Sequence, residues 1–378
     1  MENLLRSFER EARSWLVELA APTWSTRGRT PSGLFAERVT LDGVPNDEYF
    51  RTFVQARHVY SMIVAAQLGW SGPWRELVAE TMNVLIKRAK RVDGFFVHRL
   101  DRNADVIDQR ADLYDQAFIL FALGSAGKAL GDETLFDEAE SLLDTVETHW
   151  SHPQGGFREG EIVDVSVRRQ NPHMHLLEAF NLLRDGSGRE RFARAAASIA
   201  ELCQARFIDS SSGALLEYFN EDWTPAAGNA GRIVEPGHCF EWAWLFENLG
   251  VWGWKDGIKI SDGLTAFGRS RGIDPIRGIA INEVLIDGTV VNNYGRLWPQ
   301  TERLKVAVAR YRRTKSAEDL HEVRDAWEGL RCYFLSNRPD LWRDKMKEDG
   351  SFVEELVPGS SLYHIACAIK EMNSLEEL

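Results

Sequence analysis

Cysteine is scarce in this chain and shows no grouping. The 378 residues include four, at positions 203, 239, 332 and 367, and no two of them have the spacing of a CxxC motif. Structural zinc sites and disulfide frameworks both depend on grouped or regularly spaced cysteines. The sequence therefore predicts neither, and it is typical of a protein of the reducing cytoplasm.

Long apolar runs and an excess of positive charge are also missing. No apolar stretch has the roughly 20 residues that a helix needs to cross a bilayer. Acidic residues interrupt the N-terminal pattern at Glu2, Glu9, Glu11 and Glu18, which is unlike the apolar part of a secretory leader. The net charge is -12, whereas nucleic acids and anionic membranes attract basic surfaces. We expect neither partner, and a small neutral ligand suits the chain better.

The chain lacks the glycine patterns that bind phosphate groups. It contains neither a Gly-x-x-x-x-Gly-Lys loop nor the Rossmann glycine fingerprint, so we expect no nucleotide or other cofactor. What it does have is ordinary globular composition. Hydrophobic residues make up 44%, and 13 Trp and 19 Phe supply flat apolar surface for a large core.

A repeated turn organises the sequence. Six glycines are each followed by hydrophobic residues and lie 57 to 72 residues apart, at Gly33, Gly94, Gly156, Gly213, Gly278 and Gly350. Each interval holds two helical patterns, which predicts six helical hairpins joined by short glycine-containing turns. We expect one all-α domain over residues 1–378.

The second helix of each hairpin is the more apolar. Residues 118–123 and 240–246 look buried on most sides, whereas the pattern from Glu133 to His149 is apolar on one face only. This difference favours an inner and an outer ring of helices over an open superhelix. The sequence therefore predicts a closed (α/α)6 barrel, with a pocket under the turns where the inner helices begin.

The densest chemistry lies in residues 168–180. Pro172 suits a first helical turn, so we interpret Asn171 as the cap. His173 and His175 follow, and residues two apart on a helix point to nearly opposite sides. We therefore expect one of these histidines to face the pocket and the other to be structural.

Closure of the barrel would bring polar and aromatic residues from all six inner helices together. They are Arg57, Asp112 with Tyr114, Asn171 with His175, His238 with Glu241, Trp298 with Gln300 and Glu302, and Tyr363 with His364. Histidines can exchange protons near neutral pH, and a guanidinium can stabilise an oxyanion. Glu241 follows His238 by three residues, so we expect it to orient that imidazole, while Gly237 lets a ligand approach closely. The set suits proton transfer next to a carbonyl group.

Other interpretations of these residues stay open. Histidines and tryptophans at helix starts are often simply structural. His173, His175, Glu178 and His238 are metal-ligand types, but they show no HExxH motif. Asp112 with Glu241 or Glu302 could act as the acid and base of a glycoside hydrolase. A sugar-binding protein without catalysis would use the same pocket.

Four motifs resemble the N-acylglucosamine 2-epimerase superfamily over nearly the whole chain. They are Asn171 to Ala179, Pro236 to Trp242, Leu297 to Glu302, and Tyr363 with His364. The resemblance implies an (α/α)6 barrel in which His238 and His364 are the catalytic acid and base, and no metal takes part. It places Arg57, Asn171, His175 and Glu241 around the sugar, with Trp298 as an aromatic contact. Arg232 and Tyr114 match this set less closely.

Members of that superfamily either move the proton from C2 to C1 or return it to C2. The short entry from Arg232 to His238 and the modest chain length resemble the mannose isomerase branch. We therefore expect interconversion of D-mannose and D-fructose through a cis-enediol, by a monomer or homodimer. The alternative is a 2-epimerase acting on mannose, N-acylglucosamine or cellobiose.

Overall fold

The computed structural model describes residues 2–164, 166–334 and 338–377. Most of them are helical. The α-helices are α1 (Glu2–Ser14), α2 (Ala21–Thr26), α3 (Thr52–Gln67), α4 (Trp74–Val84), α5 (Leu113–Leu130), α6 (Glu133–Trp150), α7 (Asn171–Ser187), α8 (Glu190–Leu202), α9 (Pro236–Val251), α10 (Gly257–Arg271), α11 (Leu297–Thr314), α12 (Ala317–Arg331) and α13 (Ser361–Asn373).

The helices form two concentric rings. Helices α3, α5, α7, α9, α11 and α13 each contact the next one, and α13 contacts α3, so the inner ring is closed. The outer helices α4, α6, α8, α10 and α12 each pack on the inner helix that precedes them, and α1 packs on α13. The predicted (α/α)6 barrel is confirmed.

Inner helices bind the preceding turns through one repeated contact. The Gln55 side chain accepts a hydrogen bond from the Phe35 N–H at 2.7 Å and donates to its carbonyl at 3.1 Å. Gln116 makes the same pair of bonds with Phe96, and Gln300 makes it with Ala280. Each pair is 20 residues apart and buried. Gln300 therefore has a structural role, because its amide satisfies backbone groups that would otherwise be buried without partners.

The connections that lead into the inner helices are longer than the short turns predicted, and they contain β-structure. The strands are β1 (Arg38–Val39), β2 (Phe50–Arg51), β3 (Arg99–Leu100), β4 (Val106–Asp108), β5 (Arg168–Arg169), β6 (Tyr218–Phe219), β7 (Ile233–Val234), β8 (Glu283–Leu285), β9 (Val290–Asn292), β10 (Gly295–Arg296), β11 (Lys345–Met346) and β12 (Val357–Pro358). Pairing satisfies the backbone groups of these irregular segments.

These strands pair between neighbouring connections. The sheets are β1–β12, β2–β3–β4, β5–β6, β7–β8–β9 and β10–β11, all antiparallel. An isolated bridge between Asp112 and Gly160 joins the connections before α5 and α7. Together they link all six connections in a circle around the end of the barrel where the inner helices begin.

The N-terminal helix does not end at Pro22 as the sequence suggested. A π-helical turn (Trp15–Ala20) joins α1 to α2, and Pro22 lies in the first turn of α2. A π turn changes the hydrogen-bond register by one residue, so the missing N–H of proline is tolerated there. None of the helices that the structure describes is both long and apolar enough for a transmembrane span.

Candidate active site

A cavity of about 180 Å³ lies where the six inner helices begin. Its lining residues belong to the first two turns of those helices or immediately precede them. They are Arg57, Tyr114, Asn171, His175, Glu235, His238, Glu241, Arg296, Trp298 and His364. Helix N-termini carry partial positive charge, so this end of the barrel favours negative charge in a bound molecule.

Eight of the nine site residues predicted from the sequence line the cavity, and Arg232 does not. Arg232 ends a short 3-10 turn (Ala230–Arg232) before β7, and its side chain is 42% exposed. Its guanidinium donates to Asp287 at 2.6 Å, on the turn between β8 and β9. Arg232 is near His238 in sequence, but this ion pair holds its side chain away from the cavity.

Two carboxylates lie next to Nδ1 of His238. Its Nδ1 lies 3.0 Å from Oε2 of Glu217 and 3.7 Å from Oε2 of Glu235. Burial opposes protonation, but the charges of Glu217 and Glu235 outweigh it and raise the pKa of His238 to about 10. The imidazole is therefore cationic at neutral pH. The side-chain amide of Asn171 lies beside Nε2, with its nitrogen 3.3 Å away; when Nε2 carries a proton, the amide oxygen, which has no partner among the described residues, is the atom that can accept from it.

Nδ1 of His364 also contacts a carboxylate, but this imidazole favours the neutral form. Its Nδ1 lies 2.9 Å from Oε1 of Glu302, and Oε2 of Glu302 accepts a hydrogen bond from Lys305 Nζ at 2.6 Å. Burial, and then the positive charges of Arg57 and Lys305, hold the pKa of His364 well below its usual value. The imidazole is therefore neutral at neutral pH. When Nδ1 donates to Glu302, Nε2 carries the free lone pair.

Trp298 packs against both histidines. Its ring centroid is 4.8 Å from that of His238 and 5.8 Å from that of His364. Gly237 is required for this packing, since a Cβ atom there would lie 2.6 Å from the Trp298 ring. We predicted that Gly237 makes room for a ligand; the structure shows that it makes room for Trp298.

Glu241 does not orient His238, contrary to the prediction from their spacing. Glu217, from the preceding connection, makes that contact. Glu241 lies 3.9 Å from His175 Nδ1, and within the described residues neither of its carboxylate oxygens has a hydrogen-bond partner. Burial and the nearby charge of Glu302 raise the pKa of Glu241 well above its usual value. Its carboxyl group is therefore free to bind a hydroxyl in the cavity.

Arg57 and Tyr114 form one wall. The Arg57 guanidinium donates to the Tyr114 hydroxyl at 2.6 Å and to the Ser360 carbonyl at 3.3 Å. It also lies 4.2 Å from the centre of the Phe118 ring. Because these contacts hold the Arg57 guanidinium in one orientation, its positive charge does not have to be repositioned when a ligand binds.

The neighbouring histidines of α7 have different roles. His175 lines the cavity, and burial lowers its pKa to about 4. His173 is outside the cavity: its Nε2 accepts from the Phe157 N–H at 3.0 Å, and its Nδ1 lies 3.1 Å from the Arg169 carbonyl. One histidine therefore faces the cavity and one is structural, as the helical spacing indicated. Asn171 itself is the first helical residue, and Gln170 takes the cap position.

Two carboxylates proposed for a hydrolase have structural partners instead. Asp112 caps α5 by accepting from the Tyr114 N–H at 2.9 Å. Glu302 is engaged by His364 and Lys305.

Sequence reasoning missed three other residues of the site, Glu217, Glu235 and Arg296. The last two directly precede helix starts, which is a signal that could have identified them.

Three groups of acidic residues and histidine are close enough to hold a metal ion among the residues that the structure describes. They are His175 with Glu178 and Glu241, His238 with Glu217 and Glu235, and His364 with Glu241 and Glu302. In the last two groups, Nδ1 of the histidine already contacts one of the carboxylates. His173 belongs to none of them.

Comparison with known proteins assigns this helical barrel and its histidine-lined cavity to a class, the sugar isomerases and epimerases. The sequence profile of the N-acylglucosamine 2-epimerase family matches residues 33–368. The chain is 37% identical over 374 residues to the mannose-6-phosphate isomerase of Rhizobium meliloti (strain 1021), covering 96% of each protein. It is 27% identical over 276 residues to the D-mannose isomerase of Thermobifida fusca, covering 67% of this chain and 66% of that protein.

The fold agrees with the same class. The cellobiose 2-epimerase from Bacillus thermoamylovorans B4167 superposes with a TM-score of 0.89 at 19% identity, covering 99% of this chain and 100% of that one. The chain belongs to the N-acylglucosamine 2-epimerase family, and it is a sugar isomerase or epimerase.

Proposed function

We propose that this enzyme interconverts D-mannose and D-fructose by moving a proton between C2 and C1, without a metal ion. One observation carries the proposal. Both histidines pack against Trp298 and favour opposite protonation states, His364 neutral and His238 cationic. Such a pair can remove one proton and supply another in a single step.

In the proposed reaction His364 Nε2 takes the C2 proton of the open-chain aldose. The C2–H electrons form the C1–C2 double bond, and the carbonyl electrons move to O1, which takes a proton from His238. This gives the cis-enediol. His238 then accepts the O2 proton as the C2 carbonyl forms, and His364 returns its proton to C1. Both histidines regain their starting states, so no further reactant is needed.

The surroundings stabilise the negative charge that develops on the oxygens. Arg57 contributes a fixed cation beside the cavity. The six inner helices begin here, so their partial positive ends are directed toward the same space. Preorganised charge of this kind stabilises a transition state without rearrangement of the site.

The size of the cavity favours a single sugar ring. Its volume of about 180 Å³ is below the roughly 300 to 1,000 Å³ of sites for drug-sized ligands. A disaccharide would need more space, which argues against a cellobiose substrate. The relatives are named for mannose and for mannose 6-phosphate. Arg57 and Arg296 are the lining arginines that could meet a phosphate, but the carboxyl groups of Glu235 and Glu241 line the same small cavity. We therefore propose the unphosphorylated sugar.

The alternative function is a 2-epimerase on the same site. It is favoured by the second histidine, since two groups that both reach C2 from opposite faces could remove and return its proton. The experiment is to incubate the protein, with a chelator present, with mannose, mannose 6-phosphate, N-acetylglucosamine and cellobiose separately, and to identify the products by chromatography. Fructose from mannose supports the proposal. Unchanged mannose together with an epimerised second sugar would replace it with the alternative, and activity lost to the chelator would refute the metal-free mechanism.

A further inference from the structure

A second cavity, of about 400 Å³, lies at the other end of the barrel. Its lining residues come from the later turns of the inner helices, for example Gln67 of α3, Asp185 of α7 and Lys370 of α13. None of its lining residues lines the catalytic cavity. This lower cavity is within the roughly 300 to 1,000 Å³ typical of small-molecule sites.

Aromatic rings form its walls. Four aromatic residues line it: Tyr60 of α3, Phe121 of α5, Trp244 of α9, and Trp252 directly after α9. Two of these rings are fixed by neighbours: Tyr60 lies 4.6 Å from Phe121 between ring centroids, and the Trp244 N–H donates to Glu371 at 3.0 Å. Flat, fixed apolar surfaces of this kind favour a planar ring in the ligand.

One buried polar group in the lower cavity has no partner. Asn181 is only 7% exposed, and its Oδ1 accepts no hydrogen bond from any residue that the structure describes. The other buried polar groups nearby are satisfied, since Glu178 accepts from the Tyr363 hydroxyl and Ser125 donates to the Phe121 carbonyl. A buried acceptor without a donor is unfavourable. Asn181 is therefore suited to a hydroxyl or N–H group of a ligand.

Two ammonium groups at the mouth have no carboxylate partner among the described residues, although Lys370 Nζ also lies 5.6 Å from the centre of the Tyr60 ring. Lys128 and Lys370 are exposed and line the cavity, and in the described part of the chain neither forms an ion pair. The other charged residues at the mouth have partners: Arg312 lies 3.2 Å from Glu371, and Asp185 accepts from Arg184 at 2.8 Å. Two unpaired ammonium groups at one opening favour an anionic group in the ligand.

We propose that the lower cavity binds a small planar aromatic anion, with a hydroxyl or N–H donor at one end and one carboxylate at the other. The donor meets Asn181, the ring lies among the four aromatic side chains, and the carboxylate lies between Lys128 and Lys370. This site is separate from the catalytic cavity, and the proposal does not rest on the reaction that the enzyme catalyses.

Isothermal titration calorimetry of the full chain with 4-hydroxyphenylacetate tests the proposal. We expect one molecule bound per chain, without competition from mannose. Phenylacetate lacks the donor and tyramine replaces the carboxylate with an amine, so each should bind at least about ten-fold more weakly. No measurable binding, equal binding of all three compounds, or displacement by mannose would overturn the proposal.

Variants locate the site. Asn181→Leu removes the acceptor, and the double substitution Lys128→Gln and Lys370→Gln removes the cations; each should weaken binding at least about ten-fold. Lys255→Gln is the matched control, because Lys255 is outside the cavity and should leave binding unchanged. A thermal melt of each variant checks folding. If Asn181→Leu fails to fold, the lysine variant decides alone, and unchanged binding by a folded lysine variant would refute the site.

Discussion

The carboxylate of Glu302 lies between His364 and Lys305, with Oε1 2.9 Å from His364 Nδ1 and Oε2 2.6 Å from Lys305 Nζ. Glu302 and Lys305 are completely buried, and His364 is nearly so. This arrangement fixes the orientation of the imidazole and balances a buried ammonium group. Burial first, and then the positive charges of Arg57 and Lys305, hold the pKa of His364 well below its usual value, which favours the neutral imidazole that a base requires.

His364→Ala should therefore lower kcat by about 10² to 10⁴, the range for a positioned acid or base. The melting temperature should change little, because the substitution leaves the pair of Glu302 and Lys305 in place. Steady-state rates and a thermal melt measure the two effects. His321→Ala, at an exposed histidine of α12, is the control. Unchanged turnover in the His364 variant would remove this residue from the mechanism.

Glu217→Gln should shift the pH dependence. The negative charge of Glu217 helps raise the pKa of His238 to about 10, so kcat/KM should fall as pH rises through that value and the acid form is lost. Without that charge the pKa falls, and the alkaline limb should move down by about one pH unit or more. The measurement is a profile of kcat/KM from neutral to alkaline pH. Glu318→Gln, with 77% of its side chain exposed, should leave the limb in place. An unmoved limb in Glu217→Gln would show that His238 is not the titrating acid.

Gly237→Ala should damage catalysis through Trp298. The added Cβ lies 2.6 Å from the Trp298 ring, which must then move away from both histidines. Misplacement of this order can cost about 10² in kcat/KM. Gly263→Ala is the matched control, since nothing lies within 4 Å of its added Cβ, and a helical Gly→Ala change should stabilise by about 1 kcal/mol. Full activity of Gly237→Ala would mean that Trp298 has no role in the site.

The two arginines predicted as site residues should differ in importance for catalysis, and the substitutions Arg57→Ala and Arg232→Ala compare them. Arg57 lines the cavity, so its loss should lower kcat/KM by about 10². Arg232 pairs with Asp287 outside the cavity and should keep kcat/KM within about two-fold, as a surface pair contributes little. Kinetics on the same sugar compares them. A large loss in Arg232→Ala alone would restore it to the site.

The sequence predicts the barrel and most of the cavity because both follow a repeat. Each inner helix begins 11 to 23 residues after a glycine turn, and Arg57, His175 and His364 all fall in the first two turns of such a helix, so they can be assigned to one rim. The difference between His173 and His175 follows from helical geometry alone.

Contacts made by the irregular connections could not be predicted in this way. Glu217 reaches His238 from 21 residues away, across a connection whose path the pattern does not define. The spacing predicted that Glu241 orients His238, because Glu241 is the nearest carboxylate on the same face of the helix. A strand of two or three residues is too short to show an alternation of apolar and polar residues in the sequence. The β-pairs over the cavity were therefore not predicted. A single domain, a monomer or homodimer, and a cytoplasmic location remain predictions.

In the proposed reaction the proton leaves C2 of mannose and returns at C1. Following the reaction of mannose in D₂O by NMR from the earliest time points tests it directly. We expect fructose as the first new sugar, with deuterium from the solvent entering at C1 to the extent that the proton on His364 exchanges. Glucose should appear later and in smaller amount. Glucose labelled at C2 that forms first, with no fructose pool, would contradict the isomerase assignment.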